Sequence, residues 1–388
     1  MVRSASIDEA TDARGHTLPP LSDLSALPWR RLAARAIEPN GYYLPGWESA
    51  VDASAHGRTG ASALAASNEA ADLIGLLPVI SLKRACGIPL PGLVSAEPYG
   101  TLCTPLLDRD AAEDAAAKLL DEARRAGQHA LIVRTVSLDG AAMQAVTAVL
   151  QRQGLRPHVL KSYLRASLDA TRDADELLRE ALSTKKLRQL RRLRNRLADH
   201  GAVQFGVART AQDVAAELET FLKLEASGWK GKRGTALLQD DGDVAFIRRA
   251  AVALAECGQC EIVTLRTGDT PVAAAIVVRH QDRAFYFKIG IDEHYAKYSP
   301  GVQLTLELTR HLCADPAIAS ADSTTSPGHP MIDPIWRGRF AIGDVLIPLQ
   351  KNDPVVSLIH AALISRQFVL KQARRAVHLV RGHHGKSA

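Results

Sequence analysis

Between Ser183 and Leu197 the chain holds seven Lys or Arg and no carboxylate: Lys185, Lys186, Arg188, Arg191, Arg192, Arg194 and Arg196. Such a run can contact a polyanion (a tRNA, an anionic polymer or a phosphate-rich cofactor), contact an anionic membrane, or simply solvate a helix face. On a helical wheel Leu182, Leu187, Leu190, Leu193 and Leu197 share one stripe, with five of the seven cations opposite. Five leucines so spaced belong on a protein core. The run is therefore expected to be a docked helix with a basic outer face, available as a polyanion (tRNA) contact over 185–196. It has no interleaved aromatic residues, which argues against base stacking on it.

Two further groups could carry chemistry. Cys257 and Cys260 are spaced CxxC, as in a redox pair or half a zinc site. No second CxxC or paired His completes a site, and Cys260 opens an apolar strand-like run, so the pair reads as packing. In RAFYFKIGID, strand alternation sets Tyr286 and Lys288 on one face, opposite Phe285 and Phe287. That polar face looks either into a cleft or into solvent. No Ser–His–Asp order or metal-ligand spacing stands out, and no metal is expected.

The elements that must position these residues follow from pattern. From residue 21 to 168 an apolar run (ADLIGLLPVISL), a helix ending at Gly127, a strand (HALIVRTVSL), a helix (AAMQAVTAVLQRQG) and a strand (RPHVLKSYLRASL) alternate, which means an α/β sheet. A second unit, 171–350, begins with DADELLREAL and the basic run as one long helix. A strand (AVQFGVA), a helix capped by Thr210 and a helix ending at Gly258 follow. Three strands then form an antiparallel meander through CEIVTLRTGDTPVAAAIVVRHQDRAFYFKIGID. In YSPGVQLTLELTRHLC the leucines suit strand alternation and helix spacing alike; Pro300 and Gly301 suit a helix start. Residues 1–20 read as a disordered leader and 355–388 as a basic amphipathic tail helix.

Charge separates these parts. The chain has 48 basic and 42 acidic residues; the run contributes +7 and the tail after Asp353 a further +6, so the remainder carries −7. A body of that sign excludes wholesale wrapping of nucleic acid. No stretch of 18 apolar residues spans a membrane, and five cysteines, an odd and sparse set, fit a reducing cytoplasm.

STKKLRQLRRLRNRLADHG, LEASGWKGKRGTAL, YSPGVQL and DSTTSPGHPMIDPIWRGRFA, in that order, together resemble the GNAT-like acyltransferases of the CelD/BcsL type. These are linked to cellulose and exopolysaccharide biosynthesis and are relatives of the FemAB transferases. PNGYYLPGWESAV is similar to the aromatic entry segment of such proteins. The resemblance implies an α/β fold of two tandem acyl-CoA N-acyltransferase (GNAT-like) domains with mixed, mainly antiparallel central sheets, and selects a helix after Pro300. It implies acetyl-CoA or another acyl-CoA as co-substrate, held by KYSPGVQLT through Lys297, Ser299, Gly301, Val302 and Gln303. This stretch has one glycine where the family carries more, and Pro300 removes an amide. It implies Asp322 and Glu225 as catalytic carboxylates, and Trp229, Tyr286, Lys288 and Asp292 on the acceptor side, Asp292 being equally a turn cap.

The expected activity is acyl transfer to an amine or hydroxyl of a small-molecule or saccharide acceptor, in a cytoplasmic protein of polysaccharide or cell-envelope assembly. The alternatives are a FemAB-type transferase using aminoacyl-tRNA, or a non-catalytic scaffold in polysaccharide export with its tail helix on an anionic membrane.

Overall fold

The structure, a computed structural model, describes residues 17–228, 231 and 233–384, with the side chains of the last helix followed to Val369. Pro19 and Pro20, placed by expectation in the leader, instead pair with the first strand: the Pro19 carbonyl accepts the Ala63 amide (2.8 Å), and Pro20 bridges Ser62. The rest of the expected leader, up to residue 16, lies outside the described residues.

The strands, in chain order, are β1 (Ser62–Ser67), β2 (Leu73–Ser81), β3 (Gly92–Ser95), β4 (Leu106–Leu107), β5 (Ala130–Ser137), β6 (His158–Asp169), β7 (Val203–Ala208), β8 (Cys260–Thr267), β9 (Thr270–His280), β10 (Arg283–Ile291), β11 (Ser320–Asp322) and β12 (Gly338–Pro348). They form one twelve-stranded sheet in the order β1-β2-β3-β5-β12-β6-β11-β10-β9-β8-β7, with β4 on β2. Only β3–β5 and β10–β11 are parallel, so the sheet is mixed and mainly antiparallel, as expected.

The two expected sheets are continuous. The last strand of the second unit, β12, enters the first unit and pairs with β5 on one edge and β6 on the other, while β6 also pairs with β11. Apolar residues on both faces of β12 explain this. Val345 and Ile347 join one core and Leu346 another, as a central strand requires.

The helices are α1 (Ala26–Ala34), α2 (Pro45–Ser54), α3 (Leu82–Cys86), α4 (Ala112–Arg125), α5 (Ala141–Arg152), α6 (Ala174–Ala181), α7 (Thr184–Ala198), α8 (Ala211–Ser227), α9 (Asp241–Ala255), α10 (Pro300–Cys313) and α11 (Pro354–His384). The single long helix expected over 174–197 is two. Leu182 is extended, and the Ser183 side chain accepts the Lys186 amide (3.2 Å), a cap that starts α7 afresh.

The largest core runs through both halves on one side of the sheet. Tyr42 and Trp47 of the first half pack there against Phe246, Phe285 and Phe287 of the second. The buried His280 ring fastens the same junction: Nδ1 accepts the Asn40 amide and Nε2 donates to the Ala33 carbonyl, each at 2.9 Å. On the other side, one core lies under α6, α7 and α10, and another under α3 and the start of α11.

Candidate active site

Strand β10 builds the site. Arg283–Phe285 pair with β11; beyond Phe285 and Asp322 the two segments part, and among the described residues no strand takes that edge of β10. The last tie is the Thr324 hydroxyl, which donates to the Tyr286 carbonyl at 2.6 Å. Thr324 stands at φ 52°, a left-handed conformation unusual for a β-branched residue, held by its amide donating to Asp322 Oδ1 at 2.7 Å. On the opposite edge the β10–β9 register slips between Tyr286 and Lys288, a bulge that adds Phe287.

The bulge overturns the expected alternation. Tyr286 faces α10, its hydroxyl 3.3 Å from Thr305 Oγ1 and its ring 5.8 Å from that of Trp336. Lys288 emerges on the opposite face of the sheet, with Phe287. Its Nζ lies 3.4 Å from Glu225 Oε1 and 5.6 Å from the centre of the Tyr99 ring. A period of two cannot register an inserted residue.

Glu225 sits on the last turn of α8, its side chain 0% exposed, and Oε2 accepts the Leu237 amide at 3.0 Å. Gly290 lets the helix come this close: a methyl there would stand 2.7 Å from the Glu225 amide nitrogen. The first half supplies the facing wall. Tyr99, at φ 61°, stacks on Phe246, and its hydroxyl donates to Asp243 Oδ2 at 2.5 Å. The Arg58 guanidinium lies 4.2 Å over the same ring and pairs with Glu97. Burial, then the Asp243 carboxylate, pushes the Tyr99 phenol well above its ordinary range, so it stays protonated.

Asp322 is brought to the root of the split but turned inward. It is 2% exposed; Oδ2 takes Arg165 Nη1 at 2.9 Å and Oδ1 takes the Thr324 amide. Arg165, also fully buried, further donates to the Thr101 carbonyl and the Tyr163 hydroxyl. The pair ties β11, β6 and the loop before β4 where the strands diverge.

The expected donor-binding stretch forms the start of α10. Ser299 is left-handed (φ 56°) and Pro300 opens the helix. Gly301 is buried, and a methyl on it would stand 2.9 Å from Met331 Sδ, so Met331 roofs the helix N-terminus. Val302 is half-buried; Gln303 is buried and donates to the Leu190 carbonyl at 2.8 Å, joining α7 to α10. Lys297 is exposed, its Nζ 5.0 Å over the Tyr298 ring. Asp292 caps the short turn after β10, accepting the His294 amide at 2.9 Å. Trp229 lies outside the described residues.

Glu225 and Lys288 are thus brought together, whereas Asp322, Tyr286 and Gln303 face elsewhere. Tyr99, Arg58, Asp243 and Arg165 were not singled out in the sequence. Arg165 alone left a local signal, as a charge inside an apolar strand pattern. Among the described residues no three His, Cys, Asp or Glu gather as a metal site.

Residues 184–326 match the acetyltransferase (GNAT) domain family. The chain carries a GNAT-like acetyltransferase domain. The matched stretch runs from the first residue of α7 to just past Thr324 and contains Glu225, Lys288, the split and α10. Among solved structures, that of FemX superposes with a TM-score of 0.57 at 12% identity, covering 87% of this chain and 98% of that one. A conserved protein of unknown function from Bacteroides thetaiotaomicron gives 0.54 at 13% identity, covering 86% and 100%. The C-terminal domain assigned to a lysylphosphatidylglycerol synthetase of Agrobacterium fabrum gives 0.52 at 14%, covering 87% and 96%. At these identities the likeness is one of fold, and it spans both halves of the chain. No curated protein matches the chain by sequence.

Proposed function

We propose that the chain transfers an acyl group from an acyl-CoA, acetyl-CoA being the simplest, to an amine or hydroxyl of a saccharide or other envelope precursor. The observation that carries this reading is the Glu225–Lys288 pair at 3.4 Å beside the split between β10 and β11, walled by Tyr99. A thioester carbonyl in the split would meet a strand edge without a β partner. The acceptor attacks that carbonyl, Glu225 takes its proton, the acyl–acceptor bond forms, and the carbon–sulfur bond breaks to leave a thiolate that is then protonated. Lys288, 3.4 Å from Glu225 Oε1, is the cationic partner of that carboxylate in the site.

A second reading, aminoacyl transfer from tRNA, is favoured by the start of α10. Pro300 offers no amide and Met331 covers Gly301, which leaves a poor cradle for a pyrophosphate. Thermal unfolding with saturating acetyl-CoA, and separately with charged tRNA, tests both. Ligand at about 100 times its Kd adds about 2.7 kcal/mol. At about 2 cal/mol/K per residue this raises the Tm of a 388-residue chain by about 3 °C. A shift with acetyl-CoA supports the first reading, a shift with tRNA alone moves the assignment to the second, and silence from both overturns transfer.

A further inference from the structure

We infer that the side of the sheet bearing α7 and α11 is a seat for an anionic phospholipid bilayer. The first observation is α7. Leu190 and Leu197 anchor it, and of its seven cations Arg194 alone among the described residues has a carboxylate, Glu307 at 2.9 Å. Lys185, Lys186, Arg188, Arg191, Arg192 and Arg196 are exposed. Beside α7, a groove of about 510 Å³ shared with α6 and α10 is lined by Leu187, Leu190 and Leu306, with Arg179 and Arg191 in excess of the Asp175 and Glu307 carboxylates that Arg194 and Arg310 pair. Its apolar lining and net positive charge suit an acyl chain ending in an anion.

The second observation is α11. Val356, Ile359 and Leu363 hold its start to the body. The same stripe is then interrupted in sequence by Arg366 and Gln367. From there Ile364, Phe368 and Val369 are 51%, 62% and 63% exposed. Cations Lys371, Arg374, Arg375 and Arg381 follow with no acidic residue.

The two helices face the same way. The largest core fills one side of the sheet through both halves, with Val345 and Ile347 of β12 and Ile276 and Val278 of β9. The cores beneath α7 and beneath the start of α11 therefore share the other side. Between them Leu164, on the same strand face as Ala166 and Leu168, is 56% exposed. With −7 on the rest of the chain, an anionic surface attracts this side and repels the remainder. Exposed apolar side chains among the cations fit a bilayer, which buries them, better than a polynucleotide, which needs only the charge.

The test is flotation of the full chain with phosphatidylcholine vesicles, with and without phosphatidylglycerol, at low and high salt. The expected result is binding to anionic vesicles only, weakened by salt. Each neutralised cation should lower partitioning about fivefold, so Lys185→Gln/Arg188→Gln/Arg192→Gln should lower it on the order of a hundredfold. Phe368→Ser/Val369→Ser should weaken it several-fold at either salt. The inference is overturned by absence of vesicle binding, by equal binding to neutral vesicles, or by binding that survives the triple substitution. It is overturned equally if bulk tRNA binds salt-sensitively through α7 while vesicles do not. The parent protein's preference between the two vesicle types decides the matter even where a variant fails to fold.

Discussion

Asp322→Asn separates a structural carboxylate from a catalytic one. Asn at this position still offers an oxygen to the Thr324 amide, but it removes the charge facing Arg165, which has no solvent to turn to. Breaking a buried ion pair from one side costs about 3–5 kcal/mol, because the remaining charge stays desolvated. At about 2 cal/mol/K per residue, unfolding 388 residues as a unit carries about 0.8 kcal/mol/K, so Tm should fall by about 4–6 °C. The double substitution Arg165→Met/Asp322→Asn removes both charges, keeps an acceptor for the Thr324 amide, and should recover much of that loss, since replacing a buried pair by uncharged groups is often near neutral. Differential scanning calorimetry of the parent, the single and the double variants measures it. An Asp322→Asn protein that melts with the parent yet loses transfer activity would refute the reasoning and return Asp322 to the catalytic role expected from the sequence.

Two further predictions concern the scaffold. Burial pushes the His280 imidazole down to about 4 from an ordinary 6.5. Its neutral form therefore contributes stability that is fully present above 6.5 and lost as pH falls toward 4, about 3 kcal/mol in all. The urea midpoint should drop over that window, and His280→Gln should flatten the dependence; an unchanged slope in the variant would sink the assignment. Gly290→Ala drives a methyl against the backbone of α8, 2.7 Å from the Glu225 amide nitrogen, and should destabilise by about 1–3 kcal/mol. Gly206→Ala, with nothing within 4 Å, should leave the midpoint within about 0.5 kcal/mol, and equal effects at the two sites would contradict the packing argument.

What the sequence revealed and what it hid divide along the range of the interaction. The Thr210 cap, the helices ending near Gly127 and Gly258, and the meander of β8, β9 and β10 are all local in cause, and all are found. The Leu stripe of α7 docks as its spacing requires, with Leu190 and Leu197 buried. The break at Ser183 is also local in cause: serine is an N-cap residue, but the first turn after it is basic where a helix start favours acids, and the leucine stripe runs on across it from Leu182. The bulge at Phe287 left no mark in an unbroken apolar–polar pattern, and it decides which side chain meets Glu225. Tyr99 reaches Lys288 across nearly half the chain, from a Pro/Gly-rich stretch legible only as a loop. The crossing of β12 likewise depends on two partner strands far away in sequence. Asp322 sits where β10 and β11 part, and its partner Arg165 lies on a third strand.

The central claim, that Glu225 beside Lys288 accepts the acceptor's proton during acyl transfer, is tested most directly by release of the CoA thiol. The parent and Glu225→Gln are compared with acetyl-CoA and a panel of amine and hydroxyl acceptors. Loss of a positioned base predicts a fall in kcat of about 10²–10⁴-fold. The KM for acetyl-CoA should stay within a few-fold; the melting temperature should fall, because Glu225→Gln removes a buried charge beside Lys288, so kcat is compared below both melting transitions. A Glu225→Gln enzyme that turns over as the parent does, or one whose loss lies wholly in KM or stability, would contradict it.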